Sequence, residues 1–187
     1  STRPDYGRPE VRAFVRDQIF MFADKYRVDG FRWDSVFHIV SFSEENQAPN
    51  AEGIQMLRDV NRELSKTRPR LFRIAEDHAF DHDMSFDAQW DVGFRWALFH
   101  LIADPWDSDR NMRVAAGPVS DWPEFRRIAF TEAHDYVARM NYGRSRVPAQ
   151  VHPEEPGSLW ARKRALLGAS VVLTTPGIPM IFQGQEM

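Results

Sequence analysis

Cysteine is absent from all 187 residues. Disulfide frameworks, Cys-ligated zinc and thiol nucleophiles are thereby excluded, while nothing follows about compartment. No apolar stretch approaches the ~18 residues that a membrane-spanning helix requires. The opening Ser-Thr-Arg-Pro-Asp-Tyr has no secretory pattern either. Charge of one sign is not in excess: 24 Lys+Arg against 27 Asp+Glu leave a net charge of −3. That balance gives no general pull towards nucleic acid or an anionic membrane, and neither is expected as a partner. Short repeats and low-complexity tracts are missing, and the lone loop glycine Gly184 has no phosphate-cradle pattern around it. What is plentiful is apolar and aromatic: 43% hydrophobic residues, with six Trp and fourteen Phe. This suits one folded domain with a sizeable core, or a site that stacks on flat ligand faces. The chain starts without Met and stops after the apolar run Ile178-Pro-Met-Ile-Phe-Gln-Gly-Gln-Glu-Met187. It is therefore expected to be a segment of a longer protein.

Periodicity divides the chain. Pro9-Glu10 predicts a helix start, and Val11, Phe14, Val15, Ile19, Phe22 and Tyr26 follow at helical spacing as one wide apolar stripe. Val28 to Trp33 reads as a strand, and Ser41 to Asn50 as a polar loop. A second helix carries Ile54, Leu57, Val60 and Leu64 and is limited by Pro69. Leu71 to Ala75 predicts a buried strand and Phe86 to Trp90 a short one, with an Asp-rich loop between them. Helices are expected over Gly93 to Ala103, Asp109 to Ala116 and Ser158 to Leu173. Further strands are expected over Arg127 to Thr131 and Ile178 to Phe182. This alternation predicts an α/β fold of parallel strands with crossover helices. An open doubly wound sheet and part of an eight-stranded barrel both satisfy it.

In a parallel sheet the chemistry gathers at the C-terminal ends of strands. Three expected strands end in acids: Arg32-Trp-Asp34, Ile74-Ala-Glu-Asp77 and Thr131-Glu-Ala-His-Asp135. Acids converging on one rim repel, so one can stay protonated beside an ionised neighbour. A retaining glycosidase uses such a pair about 5–5.5 Å apart. Arg32, two residues before Asp34, falls on the same strand face and can hold it ionised and oriented. Taken singly, each acid reads equally well as a helix cap or an arginine partner. Asp77, His78, Asp81, His82 and Asp83 could be imagined as a metal cluster, but no helix signature aligns the two histidines. A polar loop is the simpler reading, and no metal is expected. Arg144 and Arg146 read as a solvated face or as sugar contacts. Among the tryptophans, Trp33 and Trp90 alone lie near the expected rim, where they could stack on sugar rings.

Asp29-Gly-Phe-Arg-Trp-Asp-Ser-Val36 resembles the nucleophile-bearing strand of the α-amylase family, glycoside hydrolase family 13. Ile74-Ala-Glu-Asp77 is similar to that family's general-acid segment, and Ala133-His-Asp135 to its His-Asp segment. Thr175-Pro-Gly-Ile-Pro-Met-Ile-Phe-Gln-Gly-Gln-Glu186 resembles its eighth strand and the loop beyond. The resemblance implies a partial (β/α)8 TIM barrel, roughly strands four to eight, with residues 1–187 as the C-terminal part of the catalytic barrel. Upstream strands and any accessory β-domains lie outside it. It implies Asp34 as nucleophile, Glu76 as acid/base and Asp135 as the residue that grips hydroxyls of the distorted sugar ring. His134 would add a substrate hydrogen bond, and Arg32 would position Asp34. The implied partner is an α-glucan (glycogen, starch or a maltooligosaccharide), with no cofactor and an undetermined oligomeric state.

Within the family, Phe86-Asp-Ala-Gln-Trp-Asp-Val-Gly93 and Asp5-Tyr-Gly-Arg-Pro-Glu-Val-Arg12 resemble stretches of 1,4-α-glucan branching enzymes. That implies transfer of an α-1,4 chain to a glucan 6-hydroxyl, in a cytoplasmic setting of glycogen biosynthesis. An α-amylase-type hydrolase and a non-catalytic glucan-binding homologue are the alternatives. Two departures stand out. Tyr136 follows the His-Asp pair where the family usually has Glu or Asn, which suggests an altered substrate contact. The family's upstream Asp/Asn-His segment, and with it most of its usual Ca²⁺ ligands, is not in the chain. Strands left without neighbours at both ends would present open edges. The segment alone is therefore expected to be unstable or to aggregate, and to lack glucan activity.

Overall fold

The computed structural model describes residues 3–42, 48–76, 84–113, 126–138 and 145–186. They divide between two compact units, Ser1–Trp90 and Asp91–Met187. In the first, helix α1 (Pro9–Met21) begins on its proline with Glu10 in the first turn. It runs into a π-helical turn, Phe22–Tyr26, which ends where Arg27 turns left-handed at φ 53°. Val11, Val15, Ile19 and Ala23 pack against the core, whereas Phe14, Phe22 and Tyr26 are exposed. The apolar stripe is thus narrower than its spacing predicts. α1 packs its half-buried i, i+4 row against the core, Phe14 lies off that row, and the extra residue of the π turn carries Tyr26 away from it.

Strand β1 (Gly30–Trp33) runs parallel to β2 (Phe72–Ala75), with Gly30 opposite Phe72 and Trp33 opposite Ala75. Strand β3 (Ala88–Trp90) adds to β2, also parallel, with Ile74 opposite Ala88. A side-chain carbon at Gly30 would stand 2.4 Å from the Phe72 carbonyl oxygen, so this ladder closes only over glycine. Helix α2 (Val36–Val40) is too short for periodicity to reveal. Helix α3 (Ala51–Thr67) is capped by Asn50, whose side chain accepts the Gly53 amide at 3.2 Å. Its buried Met56, Leu57, Val60 and Leu64 form one face, as expected. On β2, the Arg73 guanidinium donates to Asp87 at 2.8 and 2.5 Å and to the Asn61 carbonyl at 2.8 Å. The Asn61 amide donates in turn to the Met84 carbonyl at 2.8 Å. This largely buried polar knot fixes the approach to β3, with the Asn61 side-chain oxygen as its one buried acceptor left without a hydrogen bond.

In the second unit, Asp91 serves two elements at once. One oxygen caps α4 (Val92–Ala103) by accepting the Phe94 amide at 2.8 Å. The other pairs with Arg127 of β4 (Arg127–Ala129) at 3.0 Å, with side chains 3% and 0% exposed. Helices α5 (His134–Val137), α6 (Val147–Val151) and α7 (Leu159–Thr174) follow, and then β5 (Ile178–Pro179). β4 and β5 are parallel, with Ile128 opposite Ile178. Phe94, Leu98, Ile102, Ala129 and Val172 form the core. These strands are shorter than the apolar runs that predicted them. Pro179 brings no N–H to a ladder, and beyond Ala129 the chain bends into α5. Of the helix expected over Asp109 to Ala116, the structure has a 3₁₀ turn at Asp107–Asp109; residues 114–125 lie outside the described residues. No helix among the described residues is long and apolar enough to cross a membrane.

Candidate active site

β1 and β2 end side by side, and each leads directly into an acid. The Glu76 amide donates to the Trp33 carbonyl at 3.0 Å and the Val36 amide to the Glu76 carbonyl at 2.9 Å, stitching the two loops together just past the strands. Arg32 lies on the same side as Asp34, as the two-residue period of a strand requires. Its Nη1 pairs with Asp34 Oδ1. Its Nη2 lies 2.7 Å from Glu76 Oε2. One planar guanidinium therefore holds both carboxylates, and its fork sets them next to each other. The two differ in access: the Asp34 side chain is 78% exposed and that of Glu76 only 21%. Asp34 is open to a ligand, and Glu76 is sheltered.

Two further groups complete this arrangement. Ser35, at φ 45° and ψ 56°, is left-handed without being glycine, a conformation that costs roughly 1–2 kcal/mol. Its amide donates to Glu76 Oε2 at 2.8 Å. Trp90 lies beneath Arg32, whose guanidinium carbon is 4.6 Å from the ring centroid. Neither tryptophan near the rim offers a face for sugar. Trp33 is buried and meets Phe86 edge-on at 6.3 Å, because strand alternation sends it to the face opposite Arg32 and Asp34. Trp90 is buried as well, and its ring supports the arginine instead of a ligand.

In the second unit, His134 and Asp135 open α5, with His134 Nε2 3.3 Å from Asp135 Oδ2 and both side chains solvent-accessible. Tyr136 turns the other way. It is buried with the Arg95 guanidinium carbon 3.7 Å from its ring centroid, and the Phe130 and Trp96 rings stand 6.0 and 6.1 Å away. Arg95, itself 1% exposed, donates from Nε to the Thr131 carbonyl at 3.2 Å. The position that suggested an altered substrate contact is thus a tether to α4. Glu132, also buried, accepts the Val147 amide at 2.6 Å and Arg146 Nε at 2.7 Å. Arg146, expected on a solvated face or against sugar, is the partner of that buried acid. Arg144 and the polar loop with Asp77, His78, Asp81, His82 and Asp83 lie outside the described residues. Among the described residues, no three His, Asp or Glu side chains gather as a metal site.

No family model matches the chain. Its sequence is similar to the 1,4-α-glucan branching enzyme of Bacillus subtilis, 25% identical over 97% of this chain and 30% of that enzyme. The branching enzyme of Aquifex aeolicus is 27% identical over 97% of this chain and 31% of its own length. The likeness is to the α-amylase family. Solved structures agree in fold: an α-amylase of Geobacillus thermoleovorans, complexed with acarbose, has a TM-score of 0.68 at 18% identity, covering 97% of this chain and 38% of its own. A pullulanase of Anoxybacillus sp. LM18-11, complexed with maltotriose, has a TM-score of 0.66 at 19% identity, covering 96% and 27%. The fold is α/β, part of the (β/α)8 barrel of these family members. The chain spans less than a third of the length of these two branching enzymes.

Sequence spacing alone found the Arg32–Asp34 contact. The Arg32–Glu76 contact and the Trp90 support depend on the β1–β2–β3 register, which no local pattern reports. The amide of Ser35 leaves no mark in sequence at all, since a left-handed serine is written like any other.

Proposed function

We propose that residues 1–187 form part of the catalytic barrel of a retaining α-glucan-active enzyme whose reaction is 1,4-α-glucan branching. The observation that carries this reading is the Arg32 guanidinium with Asp34 on one terminal nitrogen and Glu76 on the other. The names of the similar curated enzymes support branching in particular. Asp34 is the nucleophile: its carboxylate attacks C1 of an α-1,4-linked glucose. Glu76 gives its proton to the departing 4-oxygen, and a covalent glucosyl-enzyme remains. Glu76, now a carboxylate, takes the proton of an acceptor 6-hydroxyl. That oxygen attacks C1, and Asp34 is released. The net change is one α-1,4 bond exchanged for one α-1,6 bond. Asp135 holds hydroxyls of the distorted ring, and His134 adds a hydrogen bond. The substrate and product are both α-glucans, and no cofactor takes part.

Asp34→Asn in the full-length protein brings turnover to background with unchanged thermal unfolding. Wild-type activity in that variant refutes the assignment. Glu76→Gln costs about 10²–10⁴-fold, and azide or a substrate with a good leaving group restores part of the loss. Incubation with amylose then separates the two enzymatic outcomes. New α-1,6 branch points support transfer. Released reducing ends without branch points favour hydrolysis, the activity named for the amylase of similar fold. Glucan binding without either product leaves a non-catalytic homologue.

A further inference from the structure

The turn at Ser35 lies between the two acids. Its left-handed backbone is one that a residue other than glycine holds only where the surroundings impose it. What the turn achieves is one hydrogen bond, from the Ser35 amide to Glu76 Oε2 at 2.8 Å. The same oxygen faces Arg32 Nη2 at 2.7 Å. One N–H donor and one guanidinium cation thus converge on a single carboxyl oxygen. A protonated carboxyl has one oxygen that bears hydrogen and one that only accepts. The Ser35 amide hydrogen and the neighbouring cation make Oε2 the accepting oxygen, because a hydrogen there would face both.

We propose that Ser35 is a positioning residue whose strained amide, together with Arg32, keeps Oε2 of Glu76 as the accepting oxygen, so that Oε1 carries and delivers the proton. This rests on the reading of Glu76 as the acid/base and adds to it which oxygen acts and what orients it. As the C1–O4 bond breaks, its electron pair goes to O4, which takes the proton from Oε1. An oxygen of Asp34 supplies the pair that bonds C1. Glu76 is left as a carboxylate with the Ser35 amide and the Arg32 cation still at Oε2. The serine hydroxyl has no part in this, and it makes no capping bond to α2. Only the N–H and the left-handed backbone count. The competing account is that the turn merely starts α2.

Substitutions at Ser35 separate the two. Glycine keeps the N–H and favours the left-handed conformation. Valine keeps the N–H but resists that conformation, so its amide loses aim. The full-length protein is assayed on amylose, whose leaving oxygen needs a proton, and on α-maltotriosyl fluoride, read as fluoride released in the first turnover, a step that needs neither a proton from Glu76 nor its later role as base. Ser35→Gly is expected to stay within about twofold of wild type on both substrates. Ser35→Val is expected to lose about 10²-fold or more on amylose and far less on the fluoride. The alkaline limb of its amylose pH profile moves upward, since a donor that favours the carboxylate is gone. Ser35→Ala shows the same split in smaller measure and serves if valine prevents folding. An equal fall on both substrates in the folded variant, or wild-type amylose activity in Ser35→Val, overturns the proposal. Glu76→Gln keeps the two levels apart. If it spares the fluoride while Ser35→Val does not, the positioning role fails and the acid/base reading stands. If it affects both substrates equally, the acid/base reading itself fails.

Discussion

At the residue scale, the candidate site is organised around one arginine. Arg32 touches Asp34 and Glu76 and lies on the Trp90 ring. An arginine with a largely desolvated aromatic face beneath it gains about 2 kcal/mol from the ring, and the ring also fixes the plane in which its fork lies. Trp90→Phe keeps a smaller face, and Trp90→Leu removes it. Trp90→Leu is expected to lower kcat on amylose by an order of magnitude or more, with Trp90→Phe in between, and both should unfold at lower urea concentration than wild type. If Trp90→Leu is destabilised yet turns over at the wild-type rate, the ring is packing and does not orient Arg32. Tyr136 teaches the complementary lesson. Its place beside His134 and Asp135 in sequence suggested contact with substrate, yet a short helix turns consecutive side chains to different sides. Arg95 receives its ring.

At the element scale, what was legible were the long amphipathic or capped helices and the alternation of helix with parallel strand. α3 shows its buried face in its spacing, and Asn50, Asp91 and Ser158 cap their helices as their residue types favour. α2, α5 and α6, of four or five residues each, are too brief for any period to register. The expected strands Arg127 to Thr131 and Ile178 to Phe182 proved too long because the chain beyond Ala129 bends into α5 and Pro179 brings no N–H to a ladder. α1 and α3 are joined by Arg16, which donates to Glu63 from Nε at 2.8 Å and from Nη2 at 2.5 Å. The hydrogen bonds from Arg16 hold the Glu63 carboxyl below the usual carboxylate range, against a smaller opposing effect of burial. A depressed folded-state value means that the pair's contribution is present above the unfolded value of about 4.3. It is lost as pH falls through the lower folded value. Thermal melts of Glu63→Gln should therefore fall below wild type near neutral pH and converge with it in acid. The neutral-pH difference will be small, since exposed pairs contribute about 0–1 kcal/mol. A gap that widens on acidification contradicts the assignment.

At the scale of the whole molecule, apolar surface outweighs charge in setting behaviour. A net charge of −3 provides little mutual repulsion. Along α7, Leu159, Leu166 and Leu173 recur every seventh residue at 70%, 62% and 55% exposure, flanked by Trp160 and Leu167. α1 exposes Phe14 and, across its π turn, Tyr26 to a similar degree. The helical periodicity of α7 is thus real, but this row of it faces outward, which a sequence pattern cannot distinguish from a row that faces in. Contiguous exposed apolar rows of this size favour association over solvation. Residues 1–187 prepared alone are therefore expected to self-associate at micromolar concentration and to bind an apolar dye. Leu166→Lys with Leu173→Lys should reduce both effects, as judged by light scattering and dye fluorescence. The two lysines remove apolar area from an exposed face while leaving the core residues Phe94, Leu98 and Val172 untouched. A monomeric, dye-silent wild-type segment with a sharp cooperative melt would mean that the α7 row is adequately solvated as it stands.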